Sequence, residues 1–174
     1  SGYQANVGAL SCLLDDDDAI FSDELVHASI IDGARLSKAK VYVYRHSDMA
    51  DLDRLLNEYK EFRTRMIVTD SIFSMDGEKA KLVDIVRIAT RHNVAVYLDE
   101  AHAVGVIGPS GAGLAAELGL QDKIDVIVGT YSKAFGVSGA FVATSKSPAA
   151  IIRSRARSLL FSTGQPPALA AAIM

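Results

Sequence analysis

One lysine, Lys133, lies in a glycine-containing turn between two short apolar runs at residues 126–128 and 141–143. Both runs consist of aliphatic, aromatic and alanine residues, which predicts two buried strands. A lysine that follows a buried strand is partly withdrawn from water, and this lowers the pKa of its ammonium group. Such an amine can form a Schiff base or bind phosphate. A solvated loop lysine is the alternative interpretation.

A second polar cluster, Asp99, Glu100 and His102, directly follows the apolar run 94–98. Open α/β sheets bind ligands beyond the carboxyl ends of their strands, where these side chains are predicted to lie. An aspartate at this place, followed one strand later by a lysine, suits pyridoxal phosphate, because the aspartate keeps the pyridine nitrogen protonated and the lysine carries the aldehyde as an imine. The alternative for Asp99 and Glu100 is a pair of residues that cap a helix N-terminus.

The chain resembles the cofactor domain of the α-oxoamine synthases, a family within the fold-type-I pyridoxal phosphate enzymes. The resemblance covers nearly the whole chain and is specific because several short motifs occur in the family's order. These motifs are Ser22-Asp-Glu-Leu-Val-His-Ala-Ser29, Ile72-Phe-Ser-Met-Asp-Gly77, Leu98-Asp-Glu-Ala-His102, Gly108-Pro-Ser-Gly-Ala-Gly113 and Gly129-Thr-Tyr-Ser-Lys-Ala-Phe-Gly136.

The resemblance implies roles for the residues around the cofactor ring. Lys133 is expected to bind the aldehyde, and Asp99 to pair with the pyridine nitrogen. His102 and Ser74 are expected to contact the phenolic oxygen. His27 is expected to stack on the ring and to position the substrate carboxylate. Lys133, His27, Asp99 and His102 are therefore the predicted catalytic residues.

The resemblance also implies how the cofactor phosphate is held. The backbone amides of Gly2 and Tyr3 are expected to bind it at a helix N-terminus, which suits an anion, together with Thr130. The segment that contains Ser162 and Thr163 is expected to reach the phosphate of the neighbouring subunit's cofactor. Members of the family usually carry Ser or Thr where this chain has Gly164, so the hydroxyl is assigned to Ser162 or Thr163.

The activity that the resemblance implies is the condensation of an amino acid with an acyl-CoA, or an acyl-carrier thioester, with loss of CO2. A homodimer with a shared active site is expected. One competing hypothesis is a pyridoxal phosphate enzyme of another reaction type, such as an aminotransferase or a lyase. The other is a catalytically silent partner subunit, against which the presence of Lys133 argues.

Alternating helical and strand patterns, with strands rich in Val and Ile, predict an α/β three-layer sandwich with a mostly parallel sheet. The resemblance implies seven strands, one of them antiparallel. The chain begins without methionine and ends inside an apolar helical run. We therefore expect residues 1–174 to be a fragment, the pyridoxal phosphate-binding large domain, without the family's N-terminal segment and C-terminal small domain.

Composition narrows the function classes further. The net charge of −3, from 18 basic and 21 acidic residues, gives no reason to expect nucleic acid or an anionic membrane as a partner. No apolar run approaches the ~18 residues of a transmembrane segment, and no secretory leader opens the chain, so a cytoplasmic enzyme is expected. Cys12 is the only cysteine and is predicted to be a small buried hydrophobe.

Two runs of charged residues are predicted not to bind a ligand, and no metal site is predicted. Four consecutive acids, Asp15–Asp18, cannot all converge on one ion, so a solvated turn is predicted. Arg153, Arg155 and Arg157 alternate along a predicted helix and would spread around it. They are expected to face solvent or another subunit.

Overall fold

A computed structural model describes all 174 residues of the chain as alternating strands and helices. The strands are β1 (Ala19–Asp23), β2 (Lys40–Tyr44), β3 (Arg65–Asp70), β4 (Ala95–Asp99), β5 (Val126–Thr130) and β6 (Ala140–Thr144). The α-helices are α1 (Gly2–Leu13), α2 (Ala28–Ser37), α3 (Met49–Glu58), α4 (Leu82–His92), α5 (Leu114–Glu117), α6 (Lys146–Arg155), α7 (Arg157–Leu160) and α8 (Pro167–Ile173). Short 3-10 turns at Pro109–Gly111 and Gln121–Lys123 complete the set.

The strands form one sheet in the order β2-β1-β3-β4-β5-β6. The first five are parallel, and β6 pairs antiparallel with β5. The predicted α/β class, the mostly parallel sheet and its single antiparallel strand are confirmed. The predicted count of seven strands is wrong for this chain, which forms six, because the residues after β6 fold only into α6, α7 and α8.

Two apolar cores, one on each face of the sheet, make the three layers. On one face α1, α2 and α6 pack against side chains such as Ile20 and Val68. On the other face α3 and α4 pack against side chains such as Phe21 and Ile67. Successive strand residues point to opposite faces, so neighbours in sequence enter different cores. Burial on both faces explains why β1, β3, β4 and β5 are mostly apolar rather than alternating, whereas the outer strands β2 and β6 are more exposed.

Parallel register places the carboxyl ends of the central strands at one edge of the sheet. Asp70 at the end of β3 pairs with Asp99 at the end of β4, and Asp99 pairs with Val128 of β5. The segments that leave β3, β4 and β5 therefore start beside one another. Ligands of open α/β sheets bind at such an edge.

The remaining expectations on single residues are met in part. Cys12 is only partly buried, against the core that α1 and α2 share. Arg153, Arg155 and Arg157 are exposed, as expected. None of the helices has both the length and the apolar character needed to cross a bilayer.

The acidic run is a solvated turn only over Asp15, Asp16 and Asp17, which are exposed. Asp18 is fully buried, so the prediction is wrong for this residue. Its carboxylate accepts hydrogen bonds from Arg63 Nε and Nη2, from the backbone N–H of Thr64 and from that of Asp15. A buried carboxylate needs this set of donors, and Asp18 thereby joins the start of β1 to the start of β3.

We predict that Asp18→Ala lowers the free energy of unfolding by about 2 kcal/mol or more, because buried donors lose a charged acceptor. Thermal and urea unfolding of the full-length protein measure the change. The matched control is Asp16→Ala in the same turn, whose side chain is exposed and which should unfold like the wild type. Equal stability of the two variants would contradict the structural role of Asp18.

Candidate active site

The Lys133 amine and the His102 ring meet at the carboxyl edge of the sheet. Lys133 Nζ lies 2.8 Å from His102 Nε2. Lys133 follows β5 and His102 follows β4, and these strands are hydrogen-bonded neighbours. This contact, which the sequence did not predict, joins residues 31 apart in the chain.

Hydrogen bonds within the turn between β5 and β6 fix its shape around Lys133. The backbone N–H of Tyr131 donates to the carbonyl of Gly139, and that of Gly136 donates to the carbonyl of Lys133. Gly136 has φ +64°, a left-handed conformation that glycine adopts without steric cost. The Thr130 hydroxyl donates to the Gly139 carbonyl at 3.0 Å and lies 2.7 Å from Ser132 Oγ. The lysine thus extends from a braced turn.

Electrostatics favour a neutral imidazole and a readily deprotonated amine at this contact. Removal from water lowers the pKa of Lys133, while Asp99 and Asp70 act in the opposite direction. Removal from water, and then the nearby Lys133 charge, lower the pKa of His102. Lys133 is still exposed on one side in this chain, so solvent moderates these effects. A neutral His102 can accept a hydrogen bond from the Lys133 amine through Nε2.

Asp99 is a buried carboxylate, 3% exposed, that is held by neutral donors. Its Oδ1 accepts from the backbone N–H of Ala101 at 2.8 Å, and its Oδ2 accepts from Asn6 Nδ2 at 2.6 Å. It forms no ion pair with a lysine, arginine or histidine of this chain, unlike Asp18, Asp23 and Asp53. The negative charge of Asp99 is therefore still available to a cationic group of a ligand.

Glu100, next to Asp99 in sequence, has a structural role. Its carboxylate accepts from the backbone N–H groups of Leu114 and Ala115 at 3.0 and 2.8 Å. These amides belong to the first turn of α5, which lacks intrahelical acceptors. Gly113 is required there because a Cβ would lie 2.8 Å from the Glu100 carboxylate. The helix-capping interpretation is thus right for Glu100, although the helix is α5 rather than one that it begins.

Asp70 is a further buried acid at the site, outside the predicted set. Its Oδ2 accepts from the backbone N–H of His27 at 2.9 Å. Burial, and then the Asp99 charge, raise its pKa to about 7. Asp70 therefore changes its protonation state near neutral pH. Its hydrogen bond to His27 also fixes the backbone at the start of α2.

His27 is the N-cap residue of α2, with its ring fixed by the helix that it caps. Its Nδ1 accepts from the backbone N–H of Ser29 at 3.2 Å and lies 2.7 Å from Ser29 Oγ. The side chain is otherwise exposed. One face or edge of the ring is therefore free to contact a planar ligand.

The N-terminus of α1 lies against Thr130. A Cβ built on Gly2 would come within 3.3 Å of Thr130 Cβ and 3.6 Å of its Oγ1. The amides of Gly2 and Tyr3 lie in the first helical turn, where no intrahelical acceptor exists. The Tyr3 hydroxyl donates to Asp32, so this side chain is directed to α2. The structure thus brings Gly2 and Thr130 together and offers only the backbone of Tyr3 to an anion.

Three predicted residues are not joined to the central cluster. Ser74 is exposed in the loop after β3 and makes no hydrogen bond within the chain. Ser162 and Thr163 are exposed, and Ser162 Oγ donates to the carbonyl of Ser158. Both line a separate cleft of about 470 Å³ between α1, β6 and the segment after α7, which Lys133, Asp99 and His102 do not line.

Asn6 is a site residue that sequence reasoning missed. It is 1% exposed and donates to both Asp99 and Ser29. One signal was available in the sequence. Asn6 lies four residues before Leu10 and seven before Leu13, so a polar amide occurs within the apolar stripe of α1. Its partners could not be read from that pattern.

The raised pKa of Asp70 predicts a pH-dependent stability. The folded pKa of about 7 exceeds the ordinary value of 3.8. The folded state therefore binds the proton more tightly between these values, and stability falls as pH rises through this window. Between pH 4 and 7 the cofactor-free wild type should lose up to about 4 kcal/mol more than Asp70→Asn, which cannot titrate.

Urea unfolding of the full-length protein at several pH values measures this difference. The amide oxygen of Asp70→Asn can still accept from His27, so the backbone contact is retained. Asp76→Asn, an exposed change close by in sequence, is the control and should follow the wild-type curve. Parallel curves for the wild type and Asp70→Asn would contradict the prediction.

Sequence comparison finds relatives that share one name, 8-amino-7-oxononanoate synthase. The 8-amino-7-oxononanoate synthase of Thermoanaerobacter pseudethanolicus is 50% identical over 173 residues, which cover 99% of this chain and 44% of that protein. The 8-amino-7-oxononanoate synthase 1 of Bacillus subtilis is 48% identical over 174 residues, which cover 100% of this chain and 44% of that protein. The chain thus spans less than half of the length of these relatives.

Comparison with solved structures gives the same fold. A serine palmitoyltransferase from S. paucimobilis, solved with a bound PLP-myriocin aldimine, superposes with a TM-score of 0.94 at 35% identity, covering 99% of this chain and 43% of that one. The 8-amino-7-oxononanoate synthase of Francisella tularensis superposes with a TM-score of 0.85 at 33% identity, covering 99% of this chain and 50% of that one. Both names belong to the α-oxoamine synthases, so the resemblance predicted from the motifs is confirmed.

The whole of residues 1–174 matches one protein family, described as aminotransferase class I and II. The mostly parallel sheet, with Lys133 and Asp99 beyond adjacent strands, agrees with that match. The chain therefore belongs to the aminotransferase class I and II family.

Proposed function

We propose that this chain is the cofactor-binding large domain of a pyridoxal phosphate-dependent C-acyltransferase of the α-oxoamine synthase type. The enzyme condenses an amino acid with an acyl-CoA, or an acyl-carrier thioester, and releases CO2. The observation that carries the proposal is the contact of the Lys133 amine with His102, beside a buried Asp99 carboxylate that has no cationic partner. The names of the relatives support it.

The residues present fit pyridoxal phosphate. Lys133 supplies an amine with a lowered pKa, and Asp99 supplies a buried charge for a pyridinium. Gly2 and Thr130 form a small cradle that a Cβ at position 2 would crowd. When bound, pyridoxal phosphate supplies an electrophilic aldehyde and an electron sink.

The chain's own groups divide the work around such a ligand. Lys133 would hold the ligand through its aldehyde, and its amine would remove the α-proton of the amino acid. His102 accepts a hydrogen bond from the lysine and orients it, since its neutral form is favoured. Asp99 holds the proton of the ring nitrogen through an ionic hydrogen bond. His27 packs on the ring and positions the substrate carboxylate.

The phosphate is held by the amides of Gly2 and Tyr3 and by the Thr130 hydroxyl, at the positive end of α1. Ser74, from the loop after β3, and His102 contact the phenolic oxygen. Ser162 or Thr163 reaches the phosphate in the second subunit of a homodimer. The exposure of these hydroxyls leaves them free for such contacts. The enzyme acts in the cytoplasm.

Among α-oxoamine synthases, 8-amino-7-oxononanoate synthase is the preferred assignment. The segment Gly136-Val-Ser-Gly-Ala140 resembles the corresponding segment of these enzymes, and relatives that are 48–50% identical to this chain carry that name. Serine palmitoyltransferase is the alternative, favoured by Thr130-Tyr-Ser-Lys133 and by the structural superposition. Segment 31–37 resembles the 2-amino-3-ketobutyrate CoA ligases. An assay of amino acid consumption with a panel of acyl thioesters distinguishes the three enzymes, because each consumes its own amino acid and thioester.

We predict that borohydride reduction of the full-length protein with pyridoxal phosphate fixes the cofactor on Lys133. Peptide mapping by mass spectrometry identifies the labelled residue. Lys133→Ala should remove the label, whereas Lys146→Ala, an exposed change at the start of α6, should retain it. A label on another lysine, or no label, would refute the proposed function.

Asp99→Asn is expected to reduce turnover by at least about a hundredfold, the usual scale for removing a charge that stabilises a transition state. Steady-state release of free thiol from the acyl thioester measures it. Asp125→Asn is the matched control. Asp125 Oδ2 also accepts from a backbone N–H, that of Val96 at 2.7 Å, but at the opposite end of the sheet. Normal turnover of Asp99→Asn would show that Asp99 has no electronic role.

A further inference from the structure

A single buried amide, Asn6, contacts Asp99, proposed to pair with the ring nitrogen, and Ser29, which contacts the proposed ring-stacking residue His27. Its Nδ2 donates to Asp99 Oδ2 at 2.6 Å and to Ser29 Oγ at 2.8 Å. Its Oδ1 accepts from the Tyr97 hydroxyl at 2.8 Å. Every hydrogen of the amide nitrogen and one lone pair of its oxygen are therefore used, which leaves no freedom for the side chain to turn.

The direction of these hydrogen bonds follows from Asp99. An ionised carboxylate only accepts, so the face of Asn6 towards Asp99 must be the amide nitrogen. The oxygen then faces Tyr97, whose hydroxyl donates. Ser29 Oγ accepts from Asn6, so its own hydrogen is available to His27 Nδ1 at 2.7 Å. In this chain of hydrogen bonds each residue donates to the next: Tyr97 to Asn6, Asn6 to Ser29, and Ser29 to His27.

This order has a consequence for His27. Its Nδ1 receives both the Ser29 hydroxyl and the Ser29 backbone N–H. A ring nitrogen that accepts carries no proton, so the neutral ring bears its hydrogen on Nε2. The ring orientation and tautomer of His27 are thereby coupled to the same amide that orients Asp99.

Asn6 is also held firmly by its backbone. A Cβ at Gly33 of α2 would lie 3.0 Å from the Asn6 carbonyl oxygen. The two helices therefore touch at this residue, over the buried end of β4. Because Asn6 is neutral, it supports the Asp99 charge without cancelling it, as an arginine or lysine would.

We propose that Asn6 is a positioning residue that orients the Asp99 carboxylate and, through Ser29, sets the His27 tautomer. The role of Asn6 in cofactor binding rests on the proposed function, whereas the hydrogen bonds that support it involve only residues of this chain. It assigns α1 a second contribution to the site, separate from the phosphate-binding amides at its N-terminus.

The first test needs no cofactor, and its only variant serves to assign the signals. Imidazole ¹⁵N chemical shifts of the cofactor-free, full-length protein distinguish a proton on Nε2 from one on Nδ1, and His27→Gln identifies the His27 signals. A proton on Nε2 is expected above the pH at which the ring is protonated. A proton on Nδ1 would overturn the inference, whether or not the protein binds pyridoxal phosphate.

The second test uses Asn6→Ala, with Ser11→Ala on the same helix as the matched control. Ser11 donates only to the Gly8 carbonyl of its own helix. Asn6→Ala should raise the Kd for pyridoxal phosphate, followed by visible absorbance, about tenfold to a hundredfold, the range for one hydrogen bond to a charged group. It should also mix the His27 tautomers. Unchanged affinity and tautomer in a folded Asn6→Ala protein would overturn the inference.

Ser29→Ala keeps the test decisive if Asn6→Ala does not fold. It removes the hydroxyl that joins Asn6 to His27 Nδ1 but leaves the Asn6–Asp99 contact and the Ser29 backbone N–H, so the fraction of His27 with its proton on Nε2 should fall. A fixed Nε2 proton in Ser29→Ala would overturn the relay. Absence of a cofactor band in the wild type would refute the proposed function instead, and the tautomer would still decide the inference.

Discussion

The buried charge of Asp99 is the constraint on which the rest of this structure depends. An ionised carboxylate that leaves water must be compensated by donors or by a positive charge. In this chain the donors are the Ala101 amide and the Asn6 amide, both neutral. The carboxylate is thus kept in place by hydrogen bonds but without a cationic partner, which is the condition for attracting a cationic ring nitrogen.

Several elements are arranged around that requirement. Helix α1 crosses the end of β4 so that Asn6 reaches Asp99, and the N-cap residue of α2, His27, donates its backbone N–H to Asp70. The repulsion between the Asp70 and Asp99 carboxylates contributes to the raised pKa of Asp70. The same two acids act against the lowering of the Lys133 pKa. The protonation states at this edge of the sheet are therefore interdependent.

Adjacent residues with the same chemistry have separate roles because the chain turns between them. Asp99 ends β4 and contacts α1, whereas Glu100 contacts the N-terminus of α5 on the other side. The same division occurs in the acidic run, where Asp15–Asp17 are solvated and Asp18 is buried against Arg63. Residue type alone does not distinguish a ligand-facing acid from one that satisfies backbone amides.

The sequence by itself determined the α/β class, the family and the Lys133, Asp99 and His102 cluster, because strand periodicity and short ordered motifs are local signals. It did not determine the role of Asn6, which contacts Asp99 across 93 residues, or the burial of Asp18, whose partner Arg63 is 45 residues away. It also overstated the number of strands. These features depend on how α1 packs on β4 and how β1 pairs with β3. Only the tertiary structure decides such contacts, since burial and hydrogen-bond partners arise from packing between distant segments.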